Sequence, residues 1–165
     1  MDFTIARVYI ETSIVSYLRA RPSRDVVLAA HQALTRRWWR GRRNYSLFVS
    51  QVVADEAIRG DRLASARRLR ALQWHSPSCP QRSGDGARAE LVRRRALPRK
   101  ATIDAFHIGI AAAHQVDYLL TWNCKHLANA TMRSTIETTC RSSGFTPPII
   151  CTPEELPSGV LHETS

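Results

Sequence analysis

Four polar side chains in this sequence stand where a cation could be gathered. Glu11 follows the strand-like run Arg7-Val8-Tyr9-Ile10, and Glu56 comes about a helical turn after a second such run. Asp104 opens a helix, and Asn123 follows a third strand-like run. None belongs to a local motif, so they act together only if the fold converges them. Carboxylates brought together repel, two of them about 4 Å apart by roughly 4 kcal/mol at an effective dielectric of 20. A fold that keeps Glu11, Glu56 and Asp104 together needs raised pKa values, an arginine or a divalent cation. Hard carboxylate and amide oxygens suit Mg²⁺ or Mn²⁺ rather than zinc. Such a cation polarises a phosphodiester, activates a water and stabilises the leaving oxygen.

Each of the four also has an ordinary role open to it. Glu11 can cap the helix that starts beside Ser13. Glu56 can be a solvated helix residue with Arg59 at i+3. Asp104 in a first helical turn complements the macrodipole, and Asn123 is a common turn residue. His107 and His114 lie seven apart near one helix face; there a packed or surface histidine is the commoner outcome than a ligand. Cys124 and His126 are too few to form a site alone, and the four cysteines contain no C-x-x-C, which argues for reduced thiols and against structural zinc. No G-x-S-x-G and no phosphate-binding glycine loop is present, so a serine hydrolase and an NTPase have no support.

The elements that must position these residues alternate. Arg7–Ile10 reads as a short buried strand, with Ser13 as N-cap of a helix through Ile14–Leu18. A helix is expected from about Asp25 to Arg40, stopped by Gly41. Ser46–Ser50 is a second strand, followed by a helix through Val52–Ile58 that ends at Gly60 and another from about Asp61 to Leu72. Residues 74–87, with Pro77, Pro80, Gly84 and Gly86, read as irregular loop, and a basic helix covers roughly 87–96. The clearest helix runs over 101–115. A strand over 117–121, a helix over 132–141 and a last strand over 149–151 complete the pattern. Strands alternating with helices imply an α/β fold with a mostly parallel sheet covered on both faces. One domain over residues 1–155 with a tail at 156–165 is expected.

The chain has 165 residues, 44% apolar and 23% charged, which is ordinary for a soluble globular domain with its own core. No apolar run reaches about 18 residues, so no membrane span is expected. Residues 1–7 lack a basic segment with a long apolar stretch behind it, so no signal peptide is expected either, and the cytoplasm is the expected location. The net charge of +10 favours a polyanion such as nucleic acid. That charge is mostly arginine, a bias that base composition alone can produce. Arg36-Arg37-Trp38-Trp39-Arg40-Gly41-Arg42-Arg43 mixes basic and aromatic residues as single-strand binding surfaces do. The commoner arrangement of such a run puts tryptophans in a core or interface and arginines in water.

Four segments taken in order carry a resemblance. Val8-Tyr9-Ile10-Glu11-Thr12-Ser13, Ser50-Gln51-Val52-Val53-Ala54-Asp55-Glu56, Asp104-Ala105-Phe106-His107-Ile108 and Leu119-Leu120-Thr121-Trp122-Asn123 together resemble the PIN-domain family, within it the VapC-type toxins of bacterial toxin–antitoxin pairs. The fit spans about residues 7–155. It implies a small three-layer α/β/α sandwich and a Mg²⁺- or Mn²⁺-dependent endoribonuclease. It implies that Glu11, Glu56 and Asp104 hold the metal with Asn123 assisting, so that a water attacks an RNA phosphate in line. It also implies a homodimer and a small antitoxin protein that blocks the site. The chain departs from the family where Glu11 replaces the usual Asp, where Asn123 stands at a position often Asp, and at residues 74–95, where a strand and a less basic helix are expected. The alternative is an impaired relative that binds RNA through its basic surface, or a partner through a Trp38–Trp39 face.

Overall fold

The computed structural model describes residues 5–73 and 102–157. The expected loop at 74–87, the basic helix at 87–96 and the tail beyond residue 157 lie outside the described residues. Within them, β1 (Arg7–Ile10) is the strand around which the rest is arranged. Val8, Tyr9 and Ile10 are completely buried, as a parallel strand covered on both faces requires. β2 (Ser46–Phe48) pairs with one side of β1, and β3 (Tyr118–Leu120) pairs with the other. β4 (Ile149–Cys151) adds beyond β3. The sheet is all parallel, in the order β2-β1-β3-β4, with Tyr9 opposite both Phe48 and Leu119.

Six α-helices connect and cover these strands among the described residues: α1 (Thr12–Arg19), α2 (Val26–Arg40), α3 (Gln51–Ile58), α4 (Arg62–Leu72), α5 (Thr102–Ala113) and α6 (Ala130–Ser142). The architecture is the expected small three-layer α/β/α sandwich. No helix among the described residues is long and apolar enough to cross a membrane.

The helix starts follow local hydrogen-bond chemistry. Asp25 caps α2 by accepting from Leu28 N, Ser50 caps α3 by accepting from Val53 N, and Asp61 caps α4 by accepting from Ala64 N. The expectation that Ser13 caps α1 is corrected. Glu11 is the cap, its carboxylate accepting from Ser13 N, and Ser13 lies inside the first turn. A carboxylate reaches the free N–H groups there as a serine hydroxyl does, and the helix starts two residues earlier for it. The last helix likewise begins at Ala130 rather than Met132, because Asn129 accepts from Thr131 N. Gly41 ends α2 as expected. The turn after α3 places Gly60 at φ +89, a backbone conformation that favours glycine.

Trp38 is 1% exposed and stacks on Tyr45 with ring centroids 5.7 Å apart. It belongs to the core, so a Trp38–Trp39 docking face is not present as a face. Trp39 sits at the core's edge with the Arg42 guanidinium over its ring. The mixed basic–aromatic run therefore divides as such runs commonly do, with the tryptophans packed inward.

Candidate functional site

The strand order decides where a site can form. From β1 the chain crosses to β2 on one side, and β3 later returns to the other side of β1. The carboxyl ends of β1 and β3 therefore flank a topological switch point, where open parallel sheets leave a crevice. Glu11 is the first residue after β1, and Thr121, Trp122 and Asn123 are the first after β3.

Glu11 is pinned from both sides of this crevice. One carboxylate oxygen, Oε2, accepts from Ser13 N at 3.1 Å, from the Ser13 hydroxyl, and from Thr121 Oγ1 at 2.7 Å. The Ser13 hydroxyl also accepts from Trp122 N at 2.8 Å, which ties the start of α1 to the end of β3. The side chain is only 8% exposed. Its other oxygen, Oε1, accepts no hydrogen bond from the described residues and faces His107 Nε2 at 3.9 Å. The carboxylate thus has one oxygen held by three hydrogen bonds and one that takes none from the described residues.

Glu56, in the second turn of α3, comes to the same place. Its Oε2 accepts from the Thr12 hydroxyl and meets His107 Nε2 at 2.9 Å. Partial burial pushes the Glu56 carboxyl upward. The hydrogen bonds from His107 and Thr12, with the Arg59 charge, outweigh that and hold its pKa below the ordinary value.

His107 closes the group from α5. It is 1% exposed, and its two ring nitrogens face in different directions. Nε2 points at the two carboxylates, while Nδ1 meets Tyr9 Oη at 2.8 Å. Tyr9 Oη in turn lies 2.6 Å from Ser50 Oγ. Donor atoms of Glu11, Glu56 and His107 all lie within 4.8 Å of one another, and among the described residues this is the one such group.

Asp104 and Asn123 form an adjoining pair. Asp104 Oδ1 accepts from Asn123 Nδ2 at 2.9 Å, and Oδ2 meets His126 Nδ1 at 2.8 Å. Both Asp104 oxygens are thus engaged, and Asp104 stands outside the tight group. It is one helical turn before His107 on α5. Asn123 connects the pair to Glu11, its N–H donating to Thr121 Oγ1 at 2.9 Å and that hydroxyl donating to Glu11. The structure thus brings Glu11 and Glu56 together around His107, and holds Asp104 and Asn123 beside them through one threonine.

Two histidines enter that the residue types alone did not select. His107 lies on the apolar face of α5, where a histidine reads as core. Its spacing of three from Asp104 was the available signal. His126 had only its place three residues after Asn123.

The donor set fits a divalent cation. Two carboxylates and an imidazole offer ligand atoms within 4.8 Å of one another, and Glu11 Oε1 accepts no hydrogen bond from the described residues. Among the described residues no thiol belongs to this group, and burial pushes Cys140 up to about 11 and Cys151 up to about 12, so both stay protonated. Compared with known proteins, the chain matches no family model, no curated protein and no solved structure.

Proposed function

We propose that this chain is a metal-dependent endoribonuclease, and that it serves as the toxin of a VapBC-type toxin–antitoxin pair. The observation that carries the nuclease reading is the meeting of Glu11 and Glu56 at the sheet's switch point, from positions far apart in the chain. The four sequence segments that resemble PIN-domain nucleases supply the same residues, and the sandwich is the architecture that resemblance implies. A Mg²⁺ or Mn²⁺ held there supplies Lewis-acid polarisation of a phosphate and an activated water. Glu11 is the fixed carboxylate, oriented by Ser13 and Thr121. Glu56 is the carboxylate kept ionised by its hydrogen bonds. Asp104 adds negative charge beside them and orients His126, and Asn123 holds Asp104.

The substrate assignment follows from charge. A net +10 favours a polyanion, and a phosphodiester is what such a site can hydrolyse. The antitoxin partner, the homodimer and the cytoplasmic location belong to the same proposal and rest on the sequence resemblance.

The test is cleavage of a mixed RNA pool by the purified protein with Mg²⁺ or Mn²⁺ and with EDTA, beside Glu11→Gln, Glu56→Gln and Asp104→Asn. Hydrogen-bond partners of metal ligands are commonly worth about 10–100-fold, so loss of a ligand should cost at least about 100-fold. Metal-dependent cleavage lost in Glu11→Gln and Glu56→Gln is expected. Undiminished cleavage in both would remove this site from the reaction. A folded wild-type protein that binds RNA in EDTA and cuts none would favour an RNA-binding module on the same fold.

A further inference from the structure

We propose that His107 is itself a metal ligand, through Nε2, and that Tyr9 and Ser50 set the imidazole tautomer that allows it. The site would then accept first-row transition cations, Zn²⁺ foremost and Mn²⁺ after it, more readily than Mg²⁺. This rests on the metal-site half of the proposed function, and it adds a nitrogen donor to the oxygens implied there.

The geometry leaves the neutral ring two proton arrangements. In the first, Nε2–H donates to Glu56 Oε2 and Tyr9 O–H donates to Nδ1, while Ser50 O–H donates to Tyr9. In the second, Nδ1–H donates to Tyr9 Oη and Tyr9 O–H donates to Ser50 Oγ. Both satisfy the buried Tyr9 hydroxyl. They differ in what Nε2 offers the carboxylates, a proton or a lone pair.

Without a cation the second arrangement sets a lone pair 2.9 Å from a carboxylate oxygen, which is repulsive, so the first is favoured. A cation between Nε2, Glu11 and Glu56 replaces that proton and reverses the preference. The spacing is suitable: donors about 2.1 Å from an ion and at right angles lie about 3.0 Å apart. Nε2 is 2.9 Å from Glu56 Oε2 and 3.9 Å from the open Glu11 Oε1. Metal-bound histidines characteristically donate the other ring N–H to an oxygen acceptor, and Tyr9 Oη is that acceptor here. Imidazole nitrogen suits Zn²⁺ best; Mn²⁺, which also takes oxygen ligands, stands at the weak end of the first-row series, and Mg²⁺ takes oxygen ligands and keeps its water. The proton moves from Nε2 to Nδ1 through exchange with solvent, so the ring's proton count is unchanged.

The experiment uses the whole chain and reads binding rather than cleavage. Nitrogen-15 NMR of the His107 ring assigns the tautomer with no metal, with Zn²⁺ and with Mg²⁺. The proton on Nε2 without metal and on Nδ1 with Zn²⁺ is expected. A proton that stays on Nε2 with Zn²⁺ bound at this site overturns the proposal. Calorimetry with MnCl₂ and MgCl₂ gives the second reading. His107→Gln and Tyr9→Phe should each lower the Mn²⁺ to Mg²⁺ affinity ratio by about 10-fold or more, and a ratio unchanged in every variant that folds overturns it. The two proposals fail separately. Cleavage with Mg²⁺ and a persistent Nε2–H leaves the nuclease and removes His107 as ligand. Nitrogen ligation without any RNA cleavage does the reverse.

Discussion

Glu56 is held by two donors at one oxygen, and that fixes its pH behaviour. A carboxylate whose folded pKa lies below its unfolded value adds stability that is fully present above the unfolded value. The contribution fades as pH falls through the folded one. In EDTA, the stability difference between wild type and Glu56→Gln should therefore be constant near neutral pH and shrink below about pH 4.5. Urea unfolding from pH 7 to pH 3 reads this directly, and a difference that grows as pH falls would mean that Glu56 is destabilised by its neighbours. At this scale the sequence was only partly legible. Glu11 and Glu56 were visible because each follows a strand-like run. His107 could be read as a ligand but reads more readily as a packed histidine, because nothing in the run Ala105-Phe106-His107-Ile108 separates that from one aimed at two carboxylates. The ordinary role weighed for Glu11 and a functional one turn out to be compatible: the same carboxylate caps α1 with Oε2 and leaves Oε1 open.

The elements hold the site through few, buried contacts. Trp122, between Thr121 and Asn123, donates from Nε1 to Thr35 Oγ1 of α2 at 2.7 Å, and its ring stacks on His31 with centroids 4.0 Å apart. Thr35 is completely buried, so Thr35→Val leaves the indole N–H without its acceptor and should cost about 1–3 kcal/mol. Chemical denaturation measures it, and a cost near zero would mean that another acceptor takes the N–H. The strands and most helices were readable because β1 is an unbroken apolar run and because Asp25, Gly41, Ser50 and Asp61 are strong boundary residues. The start of α1 was misread, since a glutamate is a weaker capping signal than the serine two residues on. The strand order was not readable at all. Alternation gives a parallel sheet, but which strands flank β1 depends on pairing across distant sequence.

At the scale of the molecule, the question is how a strongly basic chain would present RNA to two carboxylates. A cleft of about 470 Å³ between α1 and α4 offers one path, lined by Arg19, Arg21, Arg67 and Arg68 among others. Arg68 is occupied, its guanidinium donating to the carbonyls of Ala57 and Arg59. Asp61 also lines the cleft, and one of its oxygens caps α4. Arg19, Arg21 and Arg67 make no side-chain hydrogen bond or ion pair with the described residues, so their charges are available to phosphates. Helix α1 links the two places: Thr12 touches Glu56, and Ser16, about 6 Å further along the axis, already lines the cleft. The cleft and the carboxylates are thus about one turn of α1 apart, and the proposed RNA strand is tested at the cleft. Each phosphate neutralised on single-stranded nucleic acid adds about 0.7 to the slope of log affinity against log salt. Binding of a short RNA in EDTA, where no cleavage occurs, should weaken linearly on that scale. Arg19→Gln and Arg67→Gln should each lower the slope by about 0.7 and leave the Mn²⁺ affinity of the carboxylate site unchanged. Unaltered slopes in both variants would place the strand elsewhere on the basic surface. A loss of Mn²⁺ binding along with the slope would show that the cleft and the site are one electrostatic unit.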